Sequence, residues 1–263
     1  MKIEPQVLGS CPVPLNRYEQ IVLGHGSGGR LSADLLKQIF LPQLGNEVLA
    51  KLEDQATVSF GNARLAFTTD AFVVQPPFFP GGDIGKLAVC GTVNDLAVGG
   101  AKPLFLSAAF ILEEGLPIAD LTRIVASFRE TCAAAGVTMI AGDTKVVDRG
   151  KADKIFITTS GIGVVPAGVS LSIGAARPGD KIILSGTIGD HGMAVMSVRE
   201  GLEFETKLES DCAPLHELAR AMLETCPEIR CMRDPTRGGL ASALNELAAA
   251  SKTGVRIDEK RIP

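Results

Sequence analysis

From Leu87 to Leu112 the chain is at its most apolar, and Asn94, Asp95, Lys102 and Pro103 interrupt the run. Those interruptions exclude a membrane-spanning helix. They divide the run into two elements of a core. Residues 83–98 read as a helix opened by Asp83 after Gly81-Gly82, and Pro103 to Leu112 as a buried strand.

The flanking patterns extend this pair into an alternating series. A helix is expected over residues 31–44, with Leu31, Leu35, Leu36 and Ile39 on one face. Strands follow at Ala56 to Phe60 and Ala63 to Thr69, joined by a Gly61-Asn62 hairpin signal. Residues 118–135 carry Leu121, Ile124, Val125, Phe128 and Cys132 at helical spacing, and strands are expected at Val137–Ala141 and Ile155–Val165. Two strands, helix, strand, helix, two strands is an α+β order, not the six-strand series of a dinucleotide-binding fold.

Pro166-Ala167-Gly168 and Arg177-Pro178-Gly179-Asp180 mark a change of domain. Beyond them a strand (Lys181–Ser185) and helices at His191–Arg199, Ala213–Glu224 and Thr236–Ala250 are expected. Asp234 reads as the N-cap of the last helix, with Pro235 in its first turn. A final strand begins at Val255 with nothing to pair it. The expected organisation is therefore a Pro-rich extension over 1–20, a first domain over 21–166 and an incomplete second domain over 167–263.

The 263 residues are 46% hydrophobic and 21% charged, enough for a substantial core. A net charge of −4 offers no footprint for nucleic acid and no polybasic surface for a membrane. The opening MKIEPQ has no apolar signal region. Six cysteines dispersed over this length suit reduced thiols in a cytoplasm. Cys226 and Cys231 are the only close pair, and His216 alone is a poor complement for zinc.

Four acidic motifs lie at the ends of expected elements in the first domain: Glu53-Asp54-Gln55-Ala56, Thr68-Thr69-Asp70, Asn94-Asp95-Leu96 and Gly142-Asp143-Thr144-Lys145. One such aspartate would be a turn former. Four suggest a shared site, and clustered carboxylates need a cation to stay ionised. Mg²⁺ takes oxygen ligands and is usually shared with phosphates. Lys145 stands two residues after Asp143, on the same face of an extended segment. The glycine-rich stretch GHGSGGRLSAD satisfies the dinucleotide fingerprint but follows the wrong topology, and it lacks the P-loop lysine. Its backbone N–H groups at Gly26, Ser27, Gly28 and Gly29 can still hold phosphate at a helix start. Together these residues suit an ATP–Mg²⁺ site of another kind. Gly189-Asp190-His191-Gly192 and Asp234-Pro235-Thr236-Arg237-Gly238-Gly239 are distinctive in the second domain. Their residues read as caps, except His191 and Arg237, which could meet phosphate or a partner.

The ordered run HGSGG, EDQA, TTDAFVV, FFPGGDIGKLAVCGTVNDLAVGGAKP, FILEEGLP, AGDTKVVDRG, GTIGDHG and RDPTRGG resembles the HypE family of hydrogenase maturation factors. That family lies within the superfamily of aminoimidazole ribonucleotide synthetase, selenophosphate synthetase and thiamine-monophosphate kinase. The resemblance covers the chain from about Ile21 onward. It implies a PurM-like two-domain α+β fold, with a ferredoxin-like first domain whose sheet forms a homodimer, and a second α/β domain. It also implies an ATP-dependent carbamoyl dehydratase. In such proteins the carbamoyltransferase HypF loads a carbamoyl group onto a C-terminal cysteine. ATP-driven dehydration then leaves a thiocyanate, and the cyano group passes to iron on the HypC–HypD complex.

By this resemblance the metal and phosphate ligands fall on Asp54, Asp70, Asp95 and Asp143, with Asn94, Thr144 and Lys145 alongside; Lys145 and Asp95 are the catalytic candidates. The family's Pro-Arg-Ile-Cys tail and Asn-Glu-Gly-Lys motif are absent from this sequence, whose last cysteine is Cys231, and a C-terminally truncated chain is expected. Two rivals accompany the dehydratase: a nucleotide-binding or partner-docking fragment without turnover, and a sister activity phosphorylating a small molecule. An NAD site is disfavoured by the topology.

Overall fold

The computed structural model describes residues 20–202 and 208–263. Apart from Gln20, the N-terminal extension expected over 1–20 lies outside the described residues. Two compact units are present, one ending at Gly45 and one running from Asn46 to the end.

In the first unit a short turn over Leu23–Gly26 leads to α1 (Gly29–Leu35), π-helical turns over Leu36–Phe40 and α2 (Leu41–Leu44). Gly28 and Gly29 adopt φ of +78° and +73°, which lets the glycine loop swing into the helix without a Cβ penalty. The Ser27 hydroxyl donates to Gly24 O at 2.9 Å, tightening that loop on itself.

The second unit is built on a five-stranded sheet: β1 (Ala56–Phe60), β2 (Ala63–Phe72), β5 (Lys102–Glu113), β6 (Thr138–Val147) and β7 (Ile155–Val164). Between β2 and β5 come a two-residue ribbon, β3 (Phe78–Phe79) with β4 (Gly82–Asp83), and the helix α3 (Ile84–Val98). The strand order is β1-β2-β7-β5-β6, antiparallel except for β5 against β6. That parallel pair is joined by α4 (Ile118–Ala134), as a parallel crossover requires.

α3 starts where its sequence signal lies. Asp83 caps it, its Oδ1 accepting from Gly85 N at 2.7 Å and Lys86 N at 3.1 Å. The helix is apolar nearly all round because it is covered by the sheet, α4 and the later helix over His216–Thr225. A Cβ at Gly85 would collide with the Ile124 carbonyl oxygen, so that glycine permits the close α3–α4 approach. Leu106, Ile155 and Ile157 of the sheet meet Ile84, Val89, Val93, Ile124 and Phe128 in one core. Leu106 is 1% exposed. Leu106→Ala is therefore expected to lower unfolding free energy by about 2–5 kcal/mol. Urea denaturation checks this, and a loss under about 1 kcal/mol would mean that the site collapses around the cavity.

Among the described residues of this unit, the opposite sheet face is not the one that α3 and α4 cover. By register Val58, Phe60, Phe67, Phe105 and Ile162 share it, and Phe60 is 76% exposed.

After β7 the described residues contain helices only: α5 (Asp190–Glu200), α6 (His216–Thr225) and α7 (Gly239–Ser251), with short 3₁₀ turns. The strands expected at Lys181–Ser185 and from Val255 are not formed. An apolar run becomes a strand only beside a pairing partner, and no described strand lies next to either segment. Asp234 does not cap α7. Gly238 is the N-cap, in the left-handed region at φ 82°.

Candidate functional site

The site grows from the contact of β2 with α3. Inward-facing β2 residues alternate, so Thr68 and Asp70 both point at α3. On α3, Gly91 and Asp95 are four residues apart and face back at them. A Cβ at Gly91 would stand 2.8 Å from the Phe72 ring and 3.4 Å from Asp70 Oδ2. The glycine therefore makes room for the Asp70 carboxylate. Thr68 Oγ1 stands 2.8 Å from Asp95 Oδ2 and 3.0 Å from the Asp54 carbonyl oxygen, tying the turn before β1 to the helix.

The third wall comes from the second domain. Asp54, Asp95 and Asp234 each place an oxygen within 4.8 Å of the others. Arg233 holds the arrangement from outside. Its Nη1 lies 2.9 Å from Asp54 Oδ1 and its Nη2 2.6 Å from Glu246 Oε2 on α7.

Two guanidiniums, Arg233 on Asp54 and Arg237 toward Asp70, do not balance so many carboxylates. Burial, then the Asp234 charge, pushes Asp54 up to about 7 against the opposing pull of Arg233. Burial, Asp234 and Asp70 push Asp95 up to about 9, although the Thr68 hydrogen bond favours its ionised form. Asp70 is raised by burial and Asp234, with Arg237 working the other way, and Asp234 is itself raised by burial. Three oxygen ligands short of positive charge suit a hard divalent cation such as Mg²⁺. With such an ion present, the local charge balance reverses and all three carboxylates ionise.

The predicted site residues divide into groups. Asp54 and Asp95 come together, and Asp70 stands at their edge. Asp143 does not join them. β6 runs on to Val147, so Asp143 lies within a strand rather than at its end, opposite Ala109 in register. That register puts Asp143 and Lys145 on the open face of the sheet, away from Asp70 and Asp95. There Lys145 Nζ lies 2.9 Å from Asp143 Oδ2, and Thr144 N donates to Asp143 Oδ1 at 2.8 Å. These contacts, that of Lys145 first, hold Asp143 below its ordinary value.

Asn94 faces another way again. Its Nδ2 donates to Ala213 O at 3.0 Å and its Oδ1 accepts from Leu215 N at 2.7 Å. Those bonds occupy its amide in fastening the second domain onto α3. Gly26, Ser27, Gly28 and Gly29 belong to the other compact unit. His191 reaches Ser210 Oγ through Nδ1 at 3.0 Å and presents its ring edge-on to Phe79.

Asp234 is the member of the carboxylate cluster that the sequence reading assigned to a lesser task. The signal lay in the acidic residue directly after Arg233, within a stretch already distinctive for Arg237.

Two family models match the second compact unit. Residues 52–165 match the family described as AIR synthase related protein, N-terminal domain, and residues 177–263 its C-terminal domain. The chain is 54% identical to carbamoyl dehydratase HypE of Cupriavidus necator, over 95% of this chain and 72% of that protein. Among solved structures, a HypE–HypF complex contains a chain 54% identical to this one. It superposes with a TM-score of 0.83, covering 87% of this chain and 74% of that one. HypE in complex with ATP is 47% identical, with a TM-score of 0.70, over 88% of this chain and 69% of that one.

Proposed function

The chain belongs to the HypE family of carbamoyl dehydratases, and from that premise we propose that it performs the family's reaction at the cluster around Asp95. The reaction is ATP-dependent dehydration of a carbamoyl group, carried on a C-terminal cysteine thiol, to a thiocyanate. The product supplies the cyanide ligand for nickel–iron hydrogenase maturation. The observation that carries the site is the clustered trio of Asp54, Asp95 and Asp234, with Asp95 buried and the other two half-buried.

An amide oxygen is a poor leaving group and a phosphate a good one. Phosphorylating the carbamoyl oxygen therefore turns loss of water into loss of phosphate. Positioning and charge neutralisation do most of the catalytic work in such a transfer. Asp54, Asp95 and Asp234 would hold Mg²⁺, with Asp70 at its edge, and the ion would offset the phosphate charge. Thr68 orients Asp95, and Arg233 orients Asp54. Because Asp234 comes from the second domain, the site is complete only when both lobes are in place.

Gly26, Ser27, Gly28 and Gly29, in the other compact unit, are kept as a candidate phosphate-binding loop through their own backbone N–H groups. The open apolar face bearing Phe60, Phe67 and Phe105 supports a homodimer through the sheet. Through that dimer, Asp143, Thr144 and Lys145 at the sheet edge of one protomer are assigned to the nucleotide at the other protomer's cluster, with Lys145 neutralising the transferred phosphoryl group. HypF is the expected source of the carbamoyl group and HypC–HypD the expected acceptor of the cyano group. The protein is expected to act in the cytoplasm. Among the described residues no helix is long and apolar enough to cross a membrane.

A peptide ending in S-carbamoyl cysteine tests the reading. With Mg²⁺–ATP, the protein is expected to release phosphate in step with loss of one water from the peptide. Phosphate release without dehydration, or driven equally well by a free small acceptor, would overturn it in favour of a sister activity.

A further inference from the structure

The face of α3 that carries Lys86, Cys90 and Asn94 plays no part in the cation cluster. These residues follow one another at successive helical turns, and residues 210–215 of the second domain lie along them. Asn94 grips the backbone of Ala213 and Leu215. Ser210 packs on Gly81, where a Cβ would stand 2.8 Å from Ser210 N, and Lys86 Nζ donates to Gly81 O at 2.8 Å. Cys212 lies between those two attachments, which brings it over the middle of the three turns, where Cys90 stands one turn before Asn94. Its backbone is set by a bond from Cys212 N to Ser210 Oγ at 3.2 Å. Cys90 is 2% exposed, whereas Cys212 is half-buried.

We propose that Cys212 and Cys90 form a thiol–disulfide exchange site that takes low-molecular-weight disulfides and, once oxidised, locks the second domain onto α3. The Cys212 sulfur attacks the small disulfide, forming a mixed disulfide and releasing one small thiolate. Cys90 then gives up its proton to that thiolate, attacks the Cys212 sulfur and releases the second small thiol. Two protein thiols are oxidised, and one disulfide is reduced to two thiols. The neighbouring Cys90 thiol and the Lys86 ammonium favour the Cys212 thiolate, while burial, Asp211 and Asp83 oppose it, and the thiol is held below its ordinary value. The Cys212 thiol, then burial, raises Cys90. Cys90 is also sealed from solvent, so the partly exposed Cys212 reacts first. The link would fasten the lobe that brings Asp234 to the helix that brings Asp95.

The test treats the folded, reduced protein with glutathione disulfide, alkylates the remaining thiols and maps the peptides. A Cys90–Cys212 linked peptide that a dithiol reductant removes is expected. Cys90→Ser is expected to stop at a glutathione adduct on Cys212, and Cys212→Ser to leave Cys90 reduced. Reaction confined to the exposed Cys226, an adduct on wild-type Cys212 that never resolves, or no reaction at all would each overturn the proposal.

Discussion

Replacing Asp95 by asparagine is expected to weaken Mg²⁺–ATP binding by roughly 100-fold, at least the upper end of what losing a supporting group at a metal site costs. The same change is expected to leave the cation-free protein close to wild-type stability at neutral pH. Both effects follow from one fact. Asp95 is pushed up to about 9 by burial and by its acidic neighbours, so without a cation it is protonated near pH 7. Asparagine resembles that neutral form and keeps a group to meet Thr68. It cannot become the carboxylate that the ion requires. Equilibrium unfolding and calorimetric titration measure the two effects separately. A variant that binds Mg²⁺–ATP as tightly as wild type would remove Asp95 from the site.

The second large effect is on pH. For Asp54 and Asp95 the folded values, about 7 and about 9, lie above the ordinary carboxylate value of 3.8. Between those limits the native state holds protons that the unfolded chain has released. Stability therefore falls as pH rises through the window, and the loss is complete once both groups have ionised. In the absence of divalent cations the melting temperature is expected to drop by at least about 5 °C between about pH 5 and about pH 9. Saturating Mg²⁺ should offset the fall, contributing about 2.7 kcal/mol at a hundred times its dissociation constant. The increment should grow with pH, because binding no longer has to displace protons. Thermal melts over this range with and without Mg²⁺ are the check. A Mg²⁺ increment that shrinks as pH rises would contradict the charge balance described for the cluster.

Much of this was legible because the informative residues sit at element boundaries. Gly81-Gly82-Asp83 opens α3 where the pattern put it, and the hairpin at Gly61-Asn62 joins β1 to β2. The spacing of Asp54, Asp70 and Asp95 carried no three-dimensional information. Their type and their apolar surroundings did, and burial of carboxylates without matching cations is what the structure shows.

Asp143 illustrates the limit. It reads like the other three, but its strand continues past it and the register sends it to the opposite face. Side-chain direction alternates residue by residue, so a strand end misplaced by a few residues decides which layer a group belongs to. Asp234 failed for another reason. An aspartate followed by proline before a helix has an adequate local explanation as a cap, and only the packing of the second domain against β2 and α3 reveals its other partners. Asn94 shows the converse. It lies inside a motif that suggests nucleotide, yet its amide fastens two domains together. The absent strands at 181–185 and 255 mark the same boundary of inference, since apolar sequence proposes a strand and only a neighbour makes one.

The most direct measurement is a calorimetric titration of Mg²⁺–ATP into the wild-type chain and into Asp234→Asn. That residue falls in the segment that matches the family's C-terminal domain, whereas Asp54 and Asp95 fall in the segment that matches its N-terminal domain. Saturable binding by the wild type, weakened roughly 100-fold in the variant, is the expected result for a cation site closed by both domains. Equal affinities would mean that Asp234 is not a ligand and that the nucleotide is held by the first domain alone.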